Sequence, residues 1–453
     1  MARRMTHVIE ASADGVGFMR QQYQRARNAG KTGEVVVWAG PTAPVEMLHA
    51  MDLVVMWPLH YSLLLAAKQE SVQYLEVTEA LGYHKDLCRY CARGSLGAIL
   101  SDKPSDQLPW GGIGKPHAIL SPSYCDSIVK AMEDMGRKVS TPVFFTDQVF
   151  PARASSYYGL DSIGWHAPGP VAQDARRIDY RVKAFEELTV YLEDRTGKTL
   201  NERKLRQAVQ LSSEAWDYWG QVEDMRLSVP CPVSSSEIFA CVVSPLFFRG
   251  TQFAADHMRK MRDEVRQRVD EGTGVVDQEK YRLLWCGYPV WFNPGFLNAF
   301  EEQLGAVFAW ENYHFPRFCA SLDPRQPMEA MASEIMDMGA ELGLCNQVFG
   351  ETFYPAARIP GNIDGVILSR AESCKPLSSS IARYKYEFQK MGIPYLELPL
   401  DYIDPRGWDE ARVTSRITEF LETIEPKPRK PKRVYPRGTY ASEADWRRAV
   451  AGV

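Results

Sequence analysis

The sequence predicts an α/β protein in which two duplicated parallel-sheet lobes flank a helical domain. Three observations carry that expectation: a repeated strand–glycine–helix–strand pattern, a repeated strand–cysteine–helix pattern, and a middle stretch of long amphipathic helices. The chain has 453 residues, and at about 150 residues per domain that length favours two or three domains over one core.

The first pattern opens with residues 34–40, a short apolar strand that stops at Gly40. Pro41 and Pro44 mark a turn, residues 46–51 read as helix, and residues 53–57 as the next strand. The later copy runs through residues 282–287, stopping at Gly287. Pro289 and Pro294 follow, then a helical stretch at 296–303 and a strand at 306–310. Strand, glycine turn, helix and strand make the βαβ unit of a parallel sheet. The second pattern starts with a strand at 117–120 that runs into Cys125; its helix should close at Met135-Gly136 before a strand at 142–145. Its counterpart is a strand at 365–368, Cys374, a helix closing at Met391-Gly392, and a strand at 394–398. Each cysteine falls just after a strand's carboxyl end and at or near a helix start, and each helix is expected to end on a glycine cap. On that reading the second helix is longer by seven residues, or two turns. Two matches in the same order indicate a duplicated Rossmann- or flavodoxin-like lobe.

The remaining segments follow from composition. Residues 1–33 are expected to be a helical N-terminal segment, 34–165 the first lobe, 166–277 the helical domain and 278–425 the second lobe. Within the helical domain, residues 180–194, 201–227 and 252–269 show apolar faces at helical spacing. Residues 426–453 open with Pro426-Lys-Pro-Arg-Lys-Pro-Lys-Arg433. Alternating proline and like charge cannot build a core, so an extended basic arm is expected, either a solvated tail or an arm on an acidic partner.

Apolar residues make up 45% and charged residues 24%, an ordinary globular composition. The 53 basic and 57 acidic residues leave a net charge of −4, which argues against nucleic acid as a partner. Arg3 and Arg4 have no apolar stretch behind them, so no signal peptide is expected. No apolar run approaches the roughly 20 residues of a membrane span. A cytoplasmic protein without a membrane partner is the expectation. Nine cysteines then point to buried thiols, metal ligands or nucleophiles and not to a disulfide framework.

Ligands of an open parallel sheet bind at the strands' carboxyl ends, near a topological switch point. If the two lobes face each other, Cys125 and Cys374 converge on one cleft, each at a helix N-terminus that favours a thiolate. Residues 84–93 add Cys88 and Cys91, with Asp86 expected to cap a helix carrying Cys88 in its first turn. A single C-x-x-C lacks the second pair that zinc requires. Three or four cysteines from separate segments fit an iron–sulfur cluster better. The residues alone leave the other reading open, in which these cysteines are small buried hydrophobes. Cys231, Cys241, Cys286 and Cys319 look structural, and Cys345 is a reserve ligand. Nucleotide-binding glycine loops, a G-x-S-x-G elbow and an H-E-x-x-H site do not occur in the sequence. Any ATP dependence would therefore come from a partner.

Over residues 34–425 the chain resembles the 2-hydroxyacyl-CoA dehydratase and benzoyl-CoA reductase superfamily. The likeness rests on Gly40-Pro-Thr-Ala-Pro-Val-Glu-Met-Leu-His-Ala50, Asp86-Leu-Cys88-Arg-Tyr90 and Tyr191-Leu-Glu-Asp-Arg-Thr-Gly-Lys-Thr-Leu200. It continues through Asp364-Gly-Val-Ile367 with Cys374, Gly392-Ile-Pro-Tyr-Leu-Glu-Leu398, Asp401-Tyr-Ile-Asp-Pro-Arg406 and Arg416-Ile-Thr-Glu-Phe-Leu-Glu422. The resemblance implies a heterodimer with a related second cluster-bearing subunit, and a [4Fe-4S] cluster held here by Cys88, Cys125 and Cys374. The fourth iron would be open to water or substrate, or Cys91 would fill that place and make the subunit a relay.

A homodimeric iron–sulfur ATPase activator is implied as the electron donor, and an aryl- or acyl-CoA thioester as the substrate, reacting through a ketyl-type radical anion. Dehydratases of the superfamily expel a hydroxyl with no net redox change, whereas benzoyl-CoA reductases reduce the ring to a cyclic diene. Length and the 11 tryptophans and 21 tyrosines look more like the larger benzoyl-CoA reductase subunit. Ring reduction is therefore the first expectation and (R)-2-hydroxyacyl-CoA dehydration the alternative. The pair Met51-Asp52 departs from the small-residue-plus-glycine usual before the second strand. Thr42, on the first post-strand turn, is a candidate to hydrogen-bond thioester or hydroxyl, against a turn-stabilising role. His60, after the second strand, is a candidate proton shuttle near neutral pH, against a structural role. A solute-binding protein is the competing class, and it would contain no iron.

Overall fold

A computed structural model describes residues 8–123, 125–147, 175–311, 322–341 and 362–451. The N-terminal helix α1 (Ala11–Thr32) ends at Gly33, whose φ of +73° suits glycine. The first lobe follows as β1 (Val36–Ala39), α2 (Val45–Ala50), β2 (Val54–Met56), α3 (Pro58–Ala67) and α4 (Ser71–Ala80). A π-helical turn, Arg89–Arg93, leads into α5 (Gly94–Leu100), then β3 (Ala118–Pro122), α6 (Asp126–Val139) and β4 (Val143–Thr146). The four strands are parallel in the order β2-β1-β3-β4.

The helical middle comprises α7 (Ala175–Thr196), α8 (Glu202–Met225), α9 (Ser235–Cys241), α10 (Val243–Phe247) and α11 (Gln252–Glu271). Asn201 caps α8 by accepting from Lys204 N–H, and Thr251 caps α11 by accepting from Ala254 N–H. The second lobe is β5 (Tyr281–Cys286), α12 (Asn298–Leu304), β6 (Ala306–Glu311), α13 (Pro327–Glu341), β7 (Gly365–Ala371), α14 (Lys375–Lys390) and β8 (Tyr395–Leu400). Its strands are parallel in the order β6-β5-β7-β8, the same winding as the first sheet. Helix α15 (Glu410–Thr423) and helix α16 (Glu443–Ala451) complete the chain. Among the described residues no helix is long and apolar enough to cross a membrane.

Each lobe leaves its first strand to one side and returns on the other, so the switch points lie between β1 and β3 and between β5 and β7. Every residue of β1, β3 and β5 is buried, as expected of strands covered on both faces. The two strand-ending glycines do the same work. A Cβ on Gly40 would lie 2.2 Å from Pro122 Cδ, and one on Gly287 would lie 1.5 Å from Ser369 Oγ. Both let the backbone close against the strand across the switch point.

Two expectations need correction. Helix α6 does not close at Gly136; it runs to Val139 and ends at Ser140 in the left-handed region, φ +56°. A Cβ on Gly136 would meet Val143 Cγ2 at 2.7 Å and Thr141 O at 2.8 Å. That glycine therefore serves close packing onto β4, whereas Gly392, with φ +67°, does follow the end of α14. The two helices accordingly have 14 and 16 residues, and the seven-residue difference disappears.

The basic arm is not a solvated tail. Lys432 forms an antiparallel bridge with Val229, Val434 is fully buried, and Arg429 pairs with the buried Asp364 at 2.8 Å. Tyr435 donates to Asp270, and Arg437 stacks on Trp446 at 3.9 Å. Arg429 and Arg437 thus find carboxylates within their own chain, while the Lys427 and Lys432 ammonium groups donate to the carbonyls of Ile363 and Val450. Trp446 is 4% exposed, so Trp446→Ala should cost about 3–5 kcal/mol in urea unfolding. A loss below about 1 kcal/mol would mean that the arm is not part of the core.

Candidate functional site

Cys125 and Cys374 occupy the N-cap positions of α6 and α14, both with extended backbone (φ −140°, ψ 126° and φ −107°, ψ 105°). An N-cap normally presents an oxygen to the first free N–H groups; here a sulfur stands in its place. Burial pushes the Cys125 thiol up, with Cys88 and Asp126 adding to the rise, while the N–H groups of Ile128 and Ser127 oppose it. Burial likewise holds the Cys374 thiol well above its usual value, with Cys88, Cys125 and Asp401 adding, and Leu377 N–H opposing. Cys88 is 5% exposed and directly precedes the π turn, its carbonyl accepting from Arg93 N–H at 3.0 Å. The structure therefore brings the three thiols of two lobes within electrostatic reach of one another.

The neighbours of the cysteines touch as well. Arg89 N–H donates to Ser373 Oγ (3.2 Å), and Ser373 Oγ donates to Asp401 Oδ2 (2.7 Å). Lys375 and Asp126, each the residue after a cysteine, form an exposed ion pair at 2.5 Å, which contributes little by itself. A cavity of about 240 Å³ borders the site, with Leu87, Ala92, Leu96, Ser127 and Ala131 in its walls.

Asp86 does not cap a helix. It is exposed, its backbone N–H donates to His84 Nδ1, and helical structure starts only at Arg89. The Cys91 side chain, Cys319 and Cys345 lie outside the described residues. Cys231, Cys241 and Cys286 are buried, the Cys286 carbonyl accepting from Ser369 Oγ, and burial raises all three thiols, Cys231 to about 11.

Three thiols from three separate segments, two of them at helix N-terminal caps, have the donor chemistry that a [4Fe-4S] cluster takes. The mutual repulsion of their thiolates is what a cationic centre relieves. Among the described residues no group of three or more His, Cys, Asp or Glu is arranged to hold a metal ion. A multi-iron cluster asks for ligands set further apart than those sharing one ion.

Thr42 lies on the turn after β1, 1% exposed, and its Oγ1 has no hydrogen-bond partner among the described residues. His60, on α3, meets Tyr23 Oη through Nδ1 at 2.9 Å and packs edge-on to Phe247. Burial pushes its pKa down to about 3, so the ring is neutral at neutral pH and does not change charge there, as a shuttle would.

Two clusters escaped the sequence reading. Tyr90, Tyr288 and Tyr402 pack at 5.0, 5.2 and 6.3 Å between ring centres, and Tyr402 donates to Ser369 O, closing the second switch point. Beneath the Thr42 turn, Arg249 reaches Glu46 at 3.2 Å and Glu334 at 3.1 Å, all three fully buried. Glu46 lies inside a motif already singled out; nothing local marks its partners.

The family described as "2-hydroxyglutaryl-CoA dehydratase, D-component" matches residues 42–424. The chain is 24% identical to the (R)-2-hydroxyisocaproyl-CoA dehydratase alpha subunit of Clostridioides difficile, over 90% of this chain and 95% of the relative. It is also 24% identical to the (R)-phenyllactyl-CoA dehydratase alpha subunit of Clostridium sporogenes, over 89% and 92%. Identity to a benzoyl-CoA reductase subunit of Thauera aromatica is 22%, over 89% and 92%.

Proposed function

Because the chain belongs to the 2-hydroxyglutaryl-CoA dehydratase D-component family, we propose that it is a subunit of an (R)-2-hydroxyacyl-CoA dehydratase. The observation that carries this reading is its near-full-length likeness to two dehydratase alpha subunits, at slightly higher identity than to the benzoyl-CoA reductase subunit. The expectation of ring reduction loses its ground in the core. Trp38, Trp57, Trp216, Trp219 and Trp285 are all fully buried, so the aromatic content fills the interior and says nothing of an aromatic substrate.

Cys88, Cys125 and Cys374 would hold a [4Fe-4S] cluster. When bound, the cluster supplies single low-potential electrons to the CoA thioester. The chain's own part is to orient and to exclude water. The N–H groups at the starts of α6 and α14 favour the thiolates of Cys125 and Cys374, against the burial that raises both thiols in the metal-free chain. Thr42 offers a hydroxyl with no partner among the described residues at the first switch point, able to donate to a thioester carbonyl or the departing hydroxyl. His60 is assigned a supporting role through Tyr23. Loss of the 2-hydroxyl and a 3-proton leaves an unsaturated acyl-CoA with no net redox change. The likeness to alpha subunits supports a second, related subunit as partner. As the superfamily resemblance implies, a separate iron–sulfur activator would hydrolyse ATP and deliver the electrons.

The test is anaerobic turnover by the chain with its partner subunit and activator, given (R)-2-hydroxyacyl-CoA esters or benzoyl-CoA. Enoyl-CoA should form catalytically without matching consumption of reductant. Diene formation from benzoyl-CoA with stoichiometric electron uptake would restore ring reduction.

A further inference from the structure

The two lobes are joined beside the thiols by a chain of charges that centres on Arg89. Its guanidinium, 13% exposed, contacts Asp401 Oδ2 at 3.1 Å and Asp404 Oδ2 at 3.3 Å, both aspartates being 5% exposed. Its backbone N–H reaches Ser373 Oγ, which itself donates to Asp401, so the contacts close a ring. Asp401 is fixed in the second lobe because its other oxygen accepts the N–H groups of Ile403 and Asp404 at 3.0 and 3.1 Å.

Sequence position explains why such a ring matters. Cys374 is anchored on its own sheet, at the end of β7 and the start of α14. Cys88 has no strand beneath it; it lies between the end of α4 and the π turn. From its own lobe the segment is held by Arg93, which donates to Thr78, Leu75 O, Lys85 O and Glu79. Those bonds fix the segment against α4 but not against the second lobe. We propose that Arg89 is a positioning residue that sets the separation of Cys88 from Cys374 by holding the Cys88 segment to Asp401, Asp404 and Ser373. This rests on the reading of the three cysteines as one ligand set.

The lobes have other ties, so the function of this one can be isolated. Arg406 pairs with Glu79 at 2.7 Å, and Ser71 Oγ donates to Ile403 O at 2.5 Å. Loss of the Arg89 side chain therefore leaves the lobes docked while the Cys88 segment keeps only the Arg89 N–H to Ser373 from this ring. Its charge also offsets Asp401, which acts on the Cys374 thiol, so its removal should make reduction of a bound cluster harder.

The first readout uses the metal-free full chain and dibromobimane, which fluoresces only when two nearby thiols are bridged, with the bridged peptides identified by mass spectrometry. Arg89→Gln and Asp401→Asn should each slow formation of the Cys88–Cys374 bridge about tenfold, and the double variant should be no slower than either single one. The second readout is the midpoint potential of the reconstituted protein with its partner, which should move negative in Arg89→Gln. Circular dichroism and urea unfolding identify any variant that fails to fold; Ser373→Ala, a milder cut in the same ring, then takes its place with a smaller slowing. Bridging within about twofold of wild type together with an unchanged potential overturns the proposal. If the wild type binds no iron but Arg89→Gln still slows bridging, the positioning role stands and the cluster assignment alone falls.

Discussion

Alanine in place of Cys88, Cys125 or Cys374, one at a time, should leave a folded chain with a small fraction of wild-type iron and no measurable dehydration. Each thiol is buried or half-buried, so removing one sulfur costs on the order of 1 kcal/mol in the metal-free chain. Loss of a ligand removes a share of the metal-binding free energy, which is several times larger. The fall in iron should therefore far exceed any fall in stability. Cys231→Ala and Cys241→Ala reverse the balance: both thiols are fully buried and feel charges other than the three site thiols, so iron is retained while stability drops by about 1–2 kcal/mol. Iron and sulfide analysis with EPR under anaerobic conditions decides the matter. Full iron in all three variants would remove the ligand assignment. Loss of iron in Cys91→Ala as well would mean four protein ligands and a relay cluster closed to substrate.

Arg249→Met is expected to be the most damaging change away from the thiols. The guanidinium lies between Glu46 and Glu334 with no exposure of any of the three side chains. Ser212 donates to Glu46 at 2.5 Å and Trp216 to Glu334 at 2.7 Å. Burial, with the neighbouring Glu46 charge, raises Glu334 to about 8. The raised pKa of Glu334 favours a state in which the carboxyl pair keeps a proton beside the guanidinium. Methionine strands the carboxylate without its counter-ion and should cost about 3–5 kcal/mol in urea unfolding. Arg249 also donates to Ala43 O at 2.8 Å, next to Thr42, so turnover should fall in whatever fraction stays folded. A cost below about 1 kcal/mol would show the cluster to be dispensable.

The same cluster sets a pH dependence. The folded value for Glu334 lies above its ordinary value of 4.5, so the folded chain binds more protons than the unfolded chain between the two. Stability from this group is fully present below the ordinary carboxylate range and is lost as pH rises through about 8. Glu334→Gln, which keeps the shape and removes the charge, should flatten that decline and cost less than about 1 kcal/mol near pH 7. Unfolding curves at mildly acid and mildly alkaline pH, compared with wild type, measure the slope. An unchanged slope would mean that Glu334 is ionised throughout.

Cys125 and Cys374 were placed at the ends of their strands by the pattern of the chain alone. A strand that stops at a turn, followed by helical spacing, is written in consecutive residues, and the duplicated order repeated that writing twice. The same local grammar misjudged Gly136, because a glycine before a strand reads as a helix cap whether it ends the helix or lets it pack. It misjudged Asp86 for a similar reason: an acidic residue before a helix is a cap only if the chain turns there. His60 shows the limit for chemistry. Its residue type promised a charge switch, but burial beside Tyr23 and Phe247 leaves the ring neutral.

The sequence by itself determined the two-lobed parallel fold, the helical middle, the family and the cysteines that lie after the strands, since each depends on periodicity, turn chemistry or ordered motifs within short windows. Tertiary structure alone decided what those residues meet. Arg89 and Asp401 stand 312 positions apart, Arg226 pairs with Glu311, and the arm's Arg429 meets Asp364. No periodicity marks such pairs, because a charged residue has the same local signature whether it faces water or a distant counter-ion. Burial and partner choice arise only when the lobes close, and they set which groups keep a charge, which thiols share a site and how far apart those thiols lie.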